Sequence, residues 1–103
     1  MAAIELKGIV GKHLVDGNGE QIGRISDFYV DRQTGEPQWL AVSVGRLRKR
    51  SSLVPLSTAV GQGGTIQVPF AKDCVKEAPA VEVSGGVVAE TGEARLYRHY
   101  GMT

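Results

Sequence analysis

Acid–base and nucleophilic catalysis need a reactive group held beside a proton carrier, and histidine is the usual carrier near neutral pH. The chain has two histidines, His13 and His99, far apart in sequence, and one cysteine, Cys74. His13 falls at the start of a predicted strand and His99 near the end of a predicted helix; both read as structural or surface side chains. Cys74 lies in Lys72-Asp-Cys-Val-Lys76, where flanking lysines could lower its pKa, although a small, partly buried apolar residue is the plainer reading. No base is paired with a nucleophile in sequence, so the expectation is a protein without catalytic residues.

Metal chemistry finds no better footing. Two distant histidines and one cysteine give no ligand spacing. Asp16-Gly-Asn-Gly-Glu20 looks like the opening of a calcium loop, but the position that should carry a bidentate Glu falls on Asp27, inside a predicted strand. Gly61-Gln-Gly-Gly64 has the glycines of a phosphate loop without a following Lys-Ser/Thr or helix, and reads as a hairpin turn. No metal and no cofactor is expected.

Two features remain for binding. Arg46, Arg48, Lys49 and Arg50 form a basic cluster in a predicted hairpin connection that could contact phosphates. No aromatic is interleaved there to stack on bases, and basic residues also guard sheet edges against aggregation. Trp39 lies on the strand face opposite Leu40, Val42 and Val44. In a small barrel one of those faces points outward, so Trp39 is either covered by the C-terminal helix or part of an interface, where a buried aromatic anchors a contact. Leu96, Tyr97 and Tyr100, on the same predicted helix, are the other candidate interface residues.

These residues need a scaffold, and composition bounds it. At 103 residues the chain is one domain, with 42% hydrophobic and 22% charged residues arguing against disorder. Fourteen glycines fit a turn-rich β protein. A net charge of +1 provides no global field to draw in nucleic acid or an anionic membrane. A lone cysteine cannot form an internal disulfide, and no run approaches the ~20 apolar residues that cross a bilayer. Met-Ala-Ala-Ile-Glu-Leu-Lys-Gly also lacks the basic and apolar regions of a signal peptide. The expectation is a cytoplasmic protein without membrane insertion.

Alternating apolar residues and turn clusters predict strands at about Lys12–Val15, Gln21–Val30, Gln38–Gly45, Ser51–Leu56 and Thr65–Phe70. Gly23 interrupts the second and predicts a bulge or a close backbone approach. Pro55 needs an edge or a strand end. Ala71–Glu77 allows about one helical turn, and Ala80–Ala89 reads as an extended linker. A last helix ends at Gly101, with Thr91 as candidate N-cap and Arg98 and His99 beside its negative end. Leu96 pairs with Tyr100 and Glu93 with Tyr97 at i,i+4, so its docking face is narrow. Ten residues make a marginal helix alone, and it must pack on the barrel or on a partner.

The order of these elements carries a resemblance. Val15-Asp-Gly-Asn-Gly-Glu-Gln-Ile-Gly-Arg-Ile25, then Tyr29-Val-Asp-Arg-Gln-Thr-Gly35, an apolar strand, and Leu53-Val-Pro-Leu56 together resemble the PRC-barrel family. This is the small β-barrel of photosynthetic reaction-centre H subunits and of a ribosome-maturation factor. The ending Leu96-Tyr-Arg-His-Tyr-Gly101 is similar to that of stand-alone bacterial members. The resemblance implies a mainly β fold, a small partly open antiparallel barrel with a short C-terminal helix: residues 1–80 as barrel, 81–103 as linker and helix, one domain overall. It implies a non-enzymatic protein–protein interaction or adaptor module, self-associating, with a homodimer as first expectation and a further unidentified protein partner. The alternative is an RNA- or ribosome-associated factor using residues 46–50. A third role, support of electron transfer as in reaction centres, is implied by the family's name.

Overall fold

The computed structural model describes residues 6–44 and 50–102. Its strands are β1 (His13–Val15), β2 (Gln21–Val30), β3 (Pro37–Val44), β4 (Arg50–Pro55), β5 (Val60–Gln62), β6 (Thr65–Gln67), β7 (Val83–Ser84) and β8 (Val87–Val88). Two α-helices, α1 (Lys72–Lys76) and α2 (Glu90–His99), and a 3-10 turn over Leu56–Thr58 complete the described residues' regular structure. The strands form one open, curled sheet in the order β4-β3-β2-β1-β6-β5, with the β7–β8 hairpin joined to β2. Pairing is mainly antiparallel, but β1–β6 and β2–β8 run parallel. The fold is therefore mainly β, non-closed, with one short C-terminal helix.

β3 organises the core. Trp39, Leu40, Ala41 and Val42 are each at most 1% exposed, so both faces of this strand are covered. Leu40 and Val42 point into the barrel interior on the same face as Val54, their neighbour on β4. β2 supplies Ile22 and Ile25, three residues apart and both buried, a spacing that strict alternation forbids. The register shift against β1, which passes over Ile22, reconciles it; a second shift, against β3, passes over Ser26 just beyond Ile25.

Beside the first irregularity, Gly23 makes the close approach its position suggested. A Cβ there would stand 2.1 Å from the Ser43 carbonyl oxygen. Only a hydrogen at that position lets β2 curl against β3.

Three local expectations change. The stretch expected as a linker folds into the β7–β8 hairpin, and Val87 pairs with Val30 at the far end of β2. Thr91 is not the N-cap: α2 begins at Glu90, capped by Ala89 without a side-chain bond. Val60–Gln62 is a strand, so the Gly-rich turn joining it to β6 contracts to Gly63-Gly64.

The C-terminus of α2 closes in a Schellman arrangement. Met102 N–H bonds Tyr97 C=O at 2.8 Å, Gly101 N–H bonds Arg98 C=O at 3.2 Å, and Gly101 takes φ of 70°. Arg98 and His99 stand in the last turn, where the free carbonyls favour positive charge.

Candidate functional site

The face of β3 that points away from the barrel interior carries Trp39, and α2 lies over it. Glu93 and Tyr97, one turn apart on the helix, both meet this indole: the Trp39 and Tyr97 rings have centroids 5.0 Å apart, and Trp39 Nε1–H points at Glu93 Oε2 over 3.4 Å. Beside them the Gln38 side-chain amide donates to the Tyr97 hydroxyl, while Gln38 Oε1 is buried without a partner. Burial raises the Tyr97 pKa, and the Glu93 carboxylate adds to that.

The second stripe of α2 is Gly92, Leu96 and Tyr100, all buried. Gly92 lets the helix close on Val81, and a Cβ there would lie 2.6 Å from the Val81 Cβ. Tyr100 stacks on Phe70 at 4.4 Å between ring centroids and donates its hydroxyl to the Leu53 carbonyl at 2.7 Å. Burial, and then the nearby Cys74, push its phenol well above the ordinary tyrosine range.

His99 ties the helix end to α1. Its Nε2 lies 2.7 Å from the Cys74 carbonyl oxygen and 3.8 Å from Cys74 Sγ. A carbonyl only accepts, so Nε2 carries the proton and cannot serve as a base toward the thiol. The thiol itself is pushed up by burial first and by the Glu77 carboxylate second, which opposes the activation that neighbouring lysines would give. The pair that comes closest to a nucleophile and base is thus built as a clasp. Sequence reasoning missed it because 25 positions separate the two residues and only the docking of α2 brings them together.

The acidic turns are also occupied. Asp16 Oδ1 accepts the N–H groups of Asn18 and Glu20 at 2.8 and 2.9 Å, closing the turn on itself. Asp31 Oδ2 does the same for Gln33 and Thr34, and the Thr34 N–H above all holds its carboxyl below the usual range. Among the described residues no group of three or more His, Cys, Asp or Glu side chains is placed to hold a metal ion. No helix among them is long and apolar enough to cross a membrane.

Of the candidate interface residues, Trp39 and Leu96 are fully buried and Tyr100 is 7% exposed, while Tyr97 is half-buried. The apolar surface of Trp39, Leu96 and Tyr100 is spent inside the chain, beneath and along α2, while Tyr97 stays partly exposed. Arg46, Arg48 and Lys49 lie outside the described residues. Arg50 is placed as the first residue of β4, opposite Val44, and its side chain is not described.

The outer surface of α2 is different in character. Arg95 and Arg98 are exposed, and neither has a carboxylate within 4.0 Å among the described residues, whereas Arg32 pairs with Glu90 at 2.8 Å. Between α2 and the segment preceding β7 runs an open groove of 510 Å³, bordered by Ala80, Glu82 and Arg95. What the arrangement offers is surface for binding: free cations, open sheet edges and a groove.

An open, curled sheet of short strands with bulges in its long second strand defines a small β-barrel module. The comparison with known families agrees: the model of the PRC-barrel domain matches residues 1–76, about three quarters of the chain, and the protein belongs to that family. The match ends with α1, so the β7–β8 hairpin and α2 lie beyond it. No curated protein matches the chain.

Proposed function

We propose that this PRC-barrel protein is a non-enzymatic interaction module that binds other protein chains, a second copy of itself first, through a free sheet edge and the surface of its C-terminal helix. The observation that carries this reading is the open sheet: among the described residues β4 and β5 end the strand order, and β7 pairs only with β8. Unpaired N–H and C=O groups along such edges are a template for a further strand. Closed two-fold dimers are the commonest assembly of soluble chains, so a second copy is the first partner to test. The spent thiol–imidazole pair and the self-bonded acidic turns favour binding over chemistry.

Sedimentation velocity over a concentration series, joined to affinity purification from the protein's own cells, tests it. A dimer, or a stoichiometric protein partner, is expected. A monomer at every concentration with no partner recovered would refute the proposal.

A further inference from the structure

We infer that the edge of the β7–β8 hairpin and its run-in, Pro79 to Val83, is the self-association surface, pairing antiparallel with the same edge of a second copy and setting Glu82 of each against Arg95 of the other. The inference rests on the self-association proposed above and names the surface. It starts from backbone hydrogen bonding. Ala89 N–H bonds Glu82 C=O at 2.9 Å, which carries the hairpin ladder one step beyond the Val83↔Val88 and Ser84↔Val87 pairs. Partners in an antiparallel ladder alternate inward and outward, so with Glu82 facing β8 the N–H and C=O of Val81 and Val83 face the other way. Val81 makes no backbone hydrogen bond among the described residues, and residues 79–82 continue from β7 without turn or bend.

Side chains along this edge are those of a contact. Val83 is 37% exposed, one of the few large apolar residues in that state, and it borders a 210 Å³ hollow with Leu53, Pro79 and Val81. Glu82 and Arg95 border the same groove, and neither is in an ion pair among the described residues. The strand thus offers outward backbone groups, an apolar side chain and an acid, and α2 beside it offers a cation, neither charge being paired among the described residues; together these are self-complementary.

Charge and backbone together select the register. A two-fold axis at Glu82 would set the two carboxylates directly opposite, which is unfavourable. An axis at Val83 would run Val81 into Gly85, whose φ of 60° belongs to the turn. With the axis at Val81, Glu82 lies across from Ala80 of the second copy, beside the groove that holds that copy's Arg95. Val83 then faces Pro79, whose C=O still accepts although its nitrogen cannot donate.

Sedimentation velocity on the full chain, with Glu82→Arg, Arg95→Glu, Val83→Lys and the double variant Glu82→Arg/Arg95→Glu, tests the inference. All three positions are exposed, and unchanged Trp39 emission and far-ultraviolet circular dichroism verify that each variant is folded. The expected result is a wild-type dimer, a dissociation constant raised at least ~10-fold in each single variant, and recovery in the double variant, as charge pairs across an interface couple. A dimer untouched by Glu82→Arg and Val83→Lys overturns this surface and leaves self-association standing elsewhere on the chain. Single variants that weaken without recovery in the double overturn the Glu82–Arg95 pairing. A wild-type monomer up to near-millimolar concentration overturns both the inference and the self-association beneath it.

Discussion

Gly92 on α2 and Val81 on the run-in to β7 are packed so closely that a methyl group at position 92 would lie 2.6 Å from the Val81 Cβ and 2.8 Å from its Cγ1. A helix-interior glycine costs about 1 kcal/mol relative to alanine when the helix stands alone. Here the close packing reverses the sign. Gly92→Ala is expected to destabilise the protein by about 1–3 kcal/mol, the range for overpacking a filled contact. Urea unfolding followed by Trp39 emission checks it, because the indole sits beneath the same helix. A Gly92→Ala protein more stable than wild type would mean that α2 is not docked as described.

Gly23 makes a harsher prediction. The obstacle is the Ser43 carbonyl oxygen on β3, at 2.1 Å from the position of an added Cβ, and backbone in mid-sheet cannot rotate aside. Gly23→Ala is expected to cost about 3 kcal/mol or more, at or beyond the upper end for overpacking. Gly17, with nothing within 4 Å and no positive φ, is the control. Gly17→Ala is expected to be neutral or to stabilise by up to about 1 kcal/mol through the unfolded chain. Thermal melts of the two variants side by side decide the matter.

How much was legible in sequence follows from how far each signal reaches. β3 declared itself by Leu40, Val42 and Val44 at every second position, and the turns by their glycines, because these depend on residues a few positions apart. The position of Gly23 pointed to a bulge or a close approach, and both occur, one beside the other. Trp39 left two readings open, since its place under α2 depends on a helix more than 50 residues later. The His99–Cys74 clasp and the fit of Gly92 to Val81 have no local signature at all. The β7–β8 hairpin was hidden by strands of two residues each, too short for a periodicity to show.

Tyr100 should make the fold sensitive to alkali. Its pKa, like that of Tyr97, is raised in the folded state, chiefly by burial. An acid whose folded pKa exceeds its unfolded value binds more protons when folded, so its stabilisation is complete below the unfolded pKa of about 10 and is lost as pH rises above it. Denaturant unfolding from pH 8 to 11 is expected to show a loss of stability in wild type that begins at about pH 9, where the Cys74 thiol starts to titrate in the unfolded chain. The loss steepens above about pH 10, and in that upper range it is shallower in Tyr100→Phe. At pH 7 the same substitution should cost about 1–2 kcal/mol, because the Leu53 carbonyl loses its donor while the ring stays on Phe70. A wild-type curve that is flat through pH 11 would place both phenols in solvent.

The thiol of Cys74 reports on the clasp directly. Burial and Glu77 raise its pKa, and His99 Nε2 is engaged with the backbone carbonyl beside it, so thiolate is scarce at neutral pH and no base is at hand to form it. Alkylation by iodoacetamide at pH 7.5 is expected to run slower than that of a free cysteine, and the rate should climb with pH later than the free thiol's does. His99→Ala removes the bond to the Cys74 carbonyl, loosens the end of α2 over α1 and should accelerate the reaction. If the imidazole instead activated the thiol, wild type would react faster than free cysteine and His99→Ala would slow it. The two accounts predict opposite signs for one substitution, and a single pair of rate measurements separates a structural clasp from a latent nucleophile.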